Sequence, residues 1–455
     1  MRLASLDAES VTASRVAVTF RGDAQTREDA LALTDWTAQA RAQAASLSFN
    51  DIAMQDARAE ADAEGAGAQG RGRWSVGGAR FAGLGMISQQ PAASGRFFID
   101  DARRVSGDAL LTLTRTSLDA DAQQTLRSAL PDLDGTPLGP TFAQARSALD
   151  RAADSFTLSA PLLIGADPQG PRLTVTAPVE ARAASGARLR LSPLRRDAPA
   201  LVLQWPGPRL TGAVALELTG GGAPDATLLF DTVTASAEVP FEADGTLTLQ
   251  NWRAENASIA ADEIGVTVAA APGGRGRLDL RGPARITGPI GDGQVRDLAP
   301  TLDVAISWGD GWRVATNSGC LPVRMGGLDA AGLSFANGDF ALCPLEGALI
   351  AADRARNLSG GFSIQHLALH GRMAGPQAQP VRVGAHNVVG RFRGRSDDMT
   401  LALVADAPTL TIDMAEDRTL ALQMSQITAN AHIADSWRID GGFTSGTLED
   451  PTLPG

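Results

Sequence analysis

From about residue 158 to the C-terminus, apolar and polar residues alternate one by one through many short runs. Val214, Leu216 and Leu218 stand apart by one residue each, as do Leu247 and Leu249, then Ile264, Val266 and Val268. The same step recurs at Leu278/Leu280, Leu302/Val304/Ile306, Leu401/Leu403, Leu410/Ile412 and Leu420/Leu422. Side chains on a strand point to opposite faces in turn, so a period of two gives one dry face and one wet face. Gly220-Gly221-Gly222, Ala243-Asp244-Gly245, Pro272-Gly273-Gly274, Gly309-Asp310-Gly311, Asn337-Gly338 and Gly441-Gly442 punctuate the runs and read as turns. The pattern predicts a mostly-β chain of antiparallel strands, each with one solvated face. Between Phe362/Ile364 and Leu367/Leu369 the apolar phase slips by one residue, which predicts a β-bulge that re-aims the face.

The first 110 residues carry a weaker form of the pattern. Trp36, Ala38, Ala40, Ala42 and Ala44 alternate in a run that an alanine-rich helix would also explain; the neighbouring Ser46-Leu47-Ser48-Phe49 favours strand. Residues 57–73 are polar and glycine-rich and read as a loop or a weak edge. Two helices are expected in the middle. Residues 119–130 form one, closed by Pro131; residues 141–156 form the other, with Phe142, Ala145, Leu149, Ala152, Ala153 and Phe156 as its apolar stripe. The expected organisation is therefore a β segment over 1–118, a helical insertion over 119–157 and a main β segment over 158–455.

Charge narrows the function classes. Lys+Arg is 40 against Asp+Glu 51, a net charge of -11, and every one of those cations is arginine. An acidic chain without basic clusters lacks the positive footprint that nucleic-acid phosphates require. No stretch approaches the roughly 18 apolar residues of a membrane-spanning helix. The N-terminal Met1-Arg2-Leu3-Ala4-Ser5-Leu6-Asp7 has no apolar core of a signal peptide, and Pro451-Thr452-Leu453-Pro454-Gly455 has linker composition. We expect a segment of a longer protein.

Candidate chemistry is sparse. The two cysteines, Cys320 and Cys343, permit a single bridge, or else two buried thiols. Their flanks read as paired strands, which favours a Cys320–Cys343 disulfide in an oxidising compartment. His366 and His370 give an H-x-x-x-H spacing, but on a strand they would lie roughly 13 Å apart, too far for one ion. His386 and His432 have no carboxylate pair nearby in sequence, so no metal site is expected. Gly65-Ala66-Gly67-Ala68-Gln69-Gly70 matches G-x-G-x-x-G without the strand and helix that a dinucleotide site needs, and reads as a flexible loop. Arg188, Arg190, Arg195 and Arg196 are the densest basic stretch, suited to blunting a sheet edge or to meeting anionic headgroups. Asp100-Asp101 and Asp397-Asp398 would point to opposite faces of strands and do not form an acid/base dyad. No nucleophile arrangement or phosphate loop occurs, so neither catalysis nor a cofactor is expected.

The small-aliphatic strand faces, the helix after Gly139-Pro140 and the pair Gly319-Cys320-Leu321-Pro322 and Leu342-Cys343-Pro344 together resemble the YdbH-like branch of the AsmA-like bridge proteins of Gram-negative bacteria. The resemblance implies an elongated periplasmic antiparallel sheet curled into an apolar groove that carries phospholipid acyl chains between the inner and outer membranes. It implies an inner-membrane anchor outside this chain and a small outer-membrane lipoprotein as partner. Leu216, Leu249, Val266, Leu280, Val304, Leu403, Ile412 and Leu422 are the residues expected to line such a groove. The other class consistent with the composition is a structural or adhesive β-rod of the envelope without lipid cargo.

Overall fold

The computed structural model describes residues 2–8, 11–26, 33–102, 104–129, 133, 136–167, 170–271, 274–290, 292–330, 332–355, 357–373, 378–395, 398–414, 418–433 and 437–449. Strand accounts for 76% and helix for 6%, and the pairing is antiparallel, so the class is mostly β as expected. The chain divides into two compact units: Met1–Leu130 with Ala145–Phe241, and Pro131–Gln144 with Glu242–Gly455.

The first unit holds β1 (Arg2–Ala8), β2 (Val11–Thr26), β3 (Leu33–Phe49), β4 (Ile52–Ala66), β5 (Gln69–Gly77), β6 (Arg80–Gly83), β7 (Met86–Ile99) and β8 (Val105–Leu118). After the helices α1 (Ala120–Ala129) and α2 (Gly139–Asp154) come β9 (Phe156–Asp167), β10 (Gly170–Val175), β11 (Val179–Ala183), β12 (Arg188–Pro193), β13 (Leu201–Gln204), β14 (Arg209–Thr219) and β15 (Ala226–Ser236). Strands β1 to β4 pair in sequence order. The short collinear β5 and β6 together span the gap between β4 and β7. Strands β7, β8 and β9 continue the ladder, and β9 then feeds two parallel tracks of short strands that rejoin at β14.

The second unit contains β16 (Phe241–Ala254), β17 (Ala257–Ala271), β18 (Arg275–Ile290), β19 (Gly293–Trp308), β20 (Gly311–Thr316), β21 (Leu321–Ala330), β22 (Leu333–Pro344), β23 (Ile350–Asp353) and β24 (Leu358–Met373). It closes with β25 (Pro380–Arg395), β26 (Asp398–Asp406), β27 (Thr409–Asp413), β28 (Thr419–Met424), β29 (Gln426–Ile433), β30 (Trp437–Phe443) and β31 (Gly446–Glu449). Long strands again alternate with collinear pairs: β20 and β21 both pair with β19, and β26 and β27 both pair with β25.

Several local expectations change. Residues 57–73 are the paired strands β4 and β5, because Ala57, Ala59, Ala61 and Ala63 keep a period of two against Arg58, Glu60, Asp62 and Glu64. Alanine is a weak apolar signal, and the charged face dominates the composition there. The segment Gly65 to Gly70 is the tight reversal between β4 and β5, with Gly67 at φ 59, and not a flexible loop. Ala243-Asp244-Gly245 lies inside β16 and Gly441-Gly442 inside β30. Asn337-Gly338 is not a hairpin turn: it lies within β22, and Ala330 pairs with Leu333 around the actual turn. Pro131, Pro272, Gly273, Asp397 and Pro451 to Gly455 lie outside the described residues.

In α1, Asp119 caps the first turn by accepting from the Ala122 backbone N–H at 2.8 Å. Helix α2 ends at Asp154, so Phe156 opens β9 and does not extend the helical stripe. Its buried positions include Gly139, Thr141, Ala148 and Ala153, and Arg127 of α1 holds Asp150 of α2 at 2.8 Å.

The phase slip expected after Ile364 is real and general. His366 stands at φ 53 inside β24. Arg15, Asp56, Gln90, Arg115, Glu263, Asp297 and Asn337 take the same left-handed backbone inside other long strands. Each is polar, as suits a residue at which the strand leaves the apolar row. At His366 the pairing with β25 keeps one register on both sides, so the face turns there without the extra residue of the expected bulge.

Candidate functional site

The strands' alternations are in register with one another, so the apolar faces join into rows. In the first unit Phe20 pairs with Ala40, Ala40 with Ala61, Ala61 with Trp74, Trp74 with Gly95 and Gly95 with Ala109. One residue along, the partners are Arg21, Gln39, Asp62, Arg73, Arg96 and Asp108, a charged row on the opposite face. The second unit repeats the scheme. Val268 pairs with Leu278, then Ile306, Val314 and Ile350 follow. The row goes on through Gly360, Phe392, Leu401, Ala431 and Ile439. Ten strands therefore contribute only apolar residues to one line, counting Val268 and the nine that follow. The line beside it on the other face includes Arg277, Ser307, Arg313, Ser359, Arg393, Thr400 and Arg438.

The residues expected to line a groove lie on these ladders. Val266, Leu280 and Val304 are consecutive cross-strand partners on β17, β18 and β19. Leu403 lies between Gly390 and Ala429, Ile412 between Val381 and Leu420, and Leu422 between Leu410 and Leu448. Leu216, in the first unit, lies between Leu191 and Leu228. Leu249 is half-buried in β16. Leu216, Leu280, Leu403, Ile412 and Leu422 are also half-buried, whereas Val266 and Val304 are each only 6% exposed. A filled sandwich would bury the whole row. Most of this face is instead only partly covered. A compact buried cluster does form locally, around Val295, Met325, Phe335 and Leu369.

Glycines give the face its texture, a feature that sequence reading missed. Gly276 faces Trp308, Gly360 faces Phe392, Gly390 faces Phe362 and Gly72 faces Phe97 across the ladder. A Cβ on Gly390 would come within 2.5 Å of the Phe362 ring, and one on Gly276 within 2.2 Å of Trp308. The rings thus occupy the space over bare backbone, which keeps a face with large aromatics shallow. Only the strand register identifies these pairs. Gly390→Val is expected to displace Phe362 and destabilise the second unit by about 1–3 kcal/mol, read as a shifted denaturation midpoint.

The opposite face is tied by ion pairs. Arg96 contacts Asp108 at 2.6 Å, Arg296 contacts Asp329 at 2.6 Å and Arg382 contacts Asp413 at 2.8 Å. The dense basic stretch is part of this surface: Arg188 and Arg190 are exposed on β12, with Arg190 at 3.8 Å from Glu217. Hydrogen bonds from the Arg277 guanidinium, then from Asn317, hold the Asp279 carboxyl below its ordinary range despite some burial. Ser318 and Asn317 do the same for Asp303, with Arg281 adding to the effect. Depressed folded values mean that the stabilisation is present above the unfolded carboxylate pKa of about 4 and is lost as pH falls through the lower folded values. Denaturant midpoints are expected to hold from pH 7 to about 5 and drop below about pH 4, and Asp279→Asn is expected to flatten that drop.

The cysteine expectation holds: Cys320 and Cys343 Sγ atoms are 1.98 Å apart, at the open end of the β21–β22 hairpin. The remaining candidates do not converge. His370 stands between Ala336 and Arg382, away from His366 in register. Among the described residues no three His, Cys, Asp or Glu side chains are grouped to hold a metal. The open depressions, about 740 Å³ beside Asp23, Glu64 and Arg71 and about 1090 Å³ beside Arg313, Arg391 and Asp353, lie largely on the charged face. No helix among the described residues is long and apolar enough to cross a membrane. Comparison with family models, with curated proteins and with solved structures gives no match.

Proposed function

We propose that this chain is a carrier segment on which phospholipid acyl chains lie along the apolar strand faces, as in the AsmA-like, YdbH-like bridges that its sequence resembles. The supporting observation is the second unit's row of apolar partners from Val268 to Ile439, only partly covered and backed by a polar row. Each acyl CH₂ taken from water contributes about 0.8 kcal/mol, so a chain lying along several strands binds without a specific polar contact. Rings seated over glycine suit such cargo, because they keep the face shallow where they occur. The reading is non-catalytic. It sets the protein in the periplasm, tethered to the inner membrane by an anchor outside this chain, with a small outer-membrane lipoprotein as partner and outer-membrane lipid homeostasis as the process served.

The test is lipid extraction from the protein purified out of a Gram-negative envelope. Phospholipid is expected by mass spectrometry in near-stoichiometric or greater amount. Leu280→Asp, at a half-buried position, is expected to cut that amount severalfold while the unfolding free energy falls by only about 1–2 kcal/mol. Protein free of lipid, with or without the substitution, would favour the cargo-free β-rod.

A further inference from the structure

We propose that His366 and His386 form a two-imidazole site for a divalent transition-metal cation of the zinc, nickel or copper type. The chain has four histidines, and the β24–β25 register brings two of them together. Gln365 pairs with Asn387 and Leu367 with Ala385, which places His366 directly opposite His386. Both residues are exposed, and their ring centres are 4.9 Å apart with the planes inclined at 76°.

That separation fits an ion. Metal–nitrogen bonds are about 2.1 Å, and the ring centre lies roughly 1.2 Å behind the nitrogen, so two imidazoles on one ion at about 90–110° have centres roughly 4.7–5.4 Å apart. The Cβ–Cγ bond of histidine points at the ring centre. Rotation about χ2, a broad torsion for histidine, therefore turns the nitrogens toward a shared ion without moving the centres. The backbone supports the arrangement. His366 is the left-handed residue of β24, where the strand changes face, so its ring is excluded from the apolar row. Imidazole pairs select borderline cations over magnesium or calcium, which prefer oxygen. Water completes the coordination, since no third protein ligand is grouped there among the described residues. The sequence spacing H-x-x-x-H suggested a different pair, and His370 takes no part.

The experiment is a titration of the full chain with Cu²⁺ at neutral pH, followed by electron paramagnetic resonance, and a parallel calorimetric titration with Zn²⁺. We expect one ion bound, a two-nitrogen copper signal, and an unfolding midpoint that rises with metal, because the ion clips two adjacent strands in the folded state only. His386→Ala and His366→Asn are each expected to weaken binding by at least about tenfold. Asparagine is chosen at 366 because it tolerates the left-handed backbone. His370→Ala and His432→Ala are expected to bind as the parent does. A double variant at 366 and 386 that retains its strand spectrum and still binds with parental affinity would overturn the proposal. So would a copper signal with a single nitrogen, or no saturable binding. Lipid content plays no part in this readout, so the site stands or falls separately from the carrier reading.

Discussion

Val304→Asp is expected to destabilise the second unit by about 4 kcal/mol or more, enough to unfold it at moderate temperature. Val304 is 6% exposed and sits between Leu280 and Thr316 on adjacent strands. A carboxylate there has no cation beside it on the apolar face, and it either stays charged at a heavy desolvation cost or takes up a proton as its pKa rises. The neighbouring Leu280→Asp substitution is the control, because Leu280 is half-buried and its new carboxylate can reach water. Two adjacent apolar positions therefore separate two effects: loss of fold at Val304 and loss of cargo at Leu280. Equilibrium denaturation of both variants decides the matter. A Val304→Asp cost below about 1 kcal/mol would mean that the face is wet at that position.

Removing the Cys320–Cys343 bridge is expected to cost about 3 kcal/mol, the chain-entropy value for a loop of this length. The two residues are 23 apart in sequence and lie at the end of the hairpin away from its turn. There the bridge also fixes the preceding segment, where Asn317 donates to Asp279 at 3.0 Å and to Asp303 at 3.1 Å. Loss of the bridge thus loosens the charged face of β18 and β19 as well as the hairpin. The double Cys320→Ser, Cys343→Ser variant is the appropriate test, since it leaves no lone thiol to mispair. An unchanged denaturation midpoint in that variant, and in the parent after reduction, would show that the ladder alone fixes this region.

The fold class was legible because one-faced strands write their geometry directly into a period of two. Val266, Leu280 and Val304 could be assigned to one face before their pairing was known, and the slip after Ile364 located His366, the left-handed residue at which the face turns. Legibility ended where the signal depended on a partner strand. Residues 57–73 read as loop because alanine and glycine carry little hydropathy; their faces make sense only against Trp36 and Trp74. Asn337-Gly338 has the composition of a hairpin turn, yet Asn337 takes its left-handed backbone inside β22, and the turn falls several residues earlier. Likewise, nothing local to Gly360 or Gly390 announces the ring that lies over it. The His366–His386 pair is 20 residues apart in sequence and exists only through register.

The central claim is that acyl chains travel along the apolar rows and not over the charged ones. Site-specific photo-crosslinking in living cells tests it most directly, with the probe at Leu280 or Leu403 on the apolar face and at Arg281 or Ala402 on the opposite face. Phospholipid adducts are expected from Leu280 and Leu403 and are expected to be scarce from Arg281 and Ala402. Equal adducts from both faces, or none from either, would contradict the carrier account.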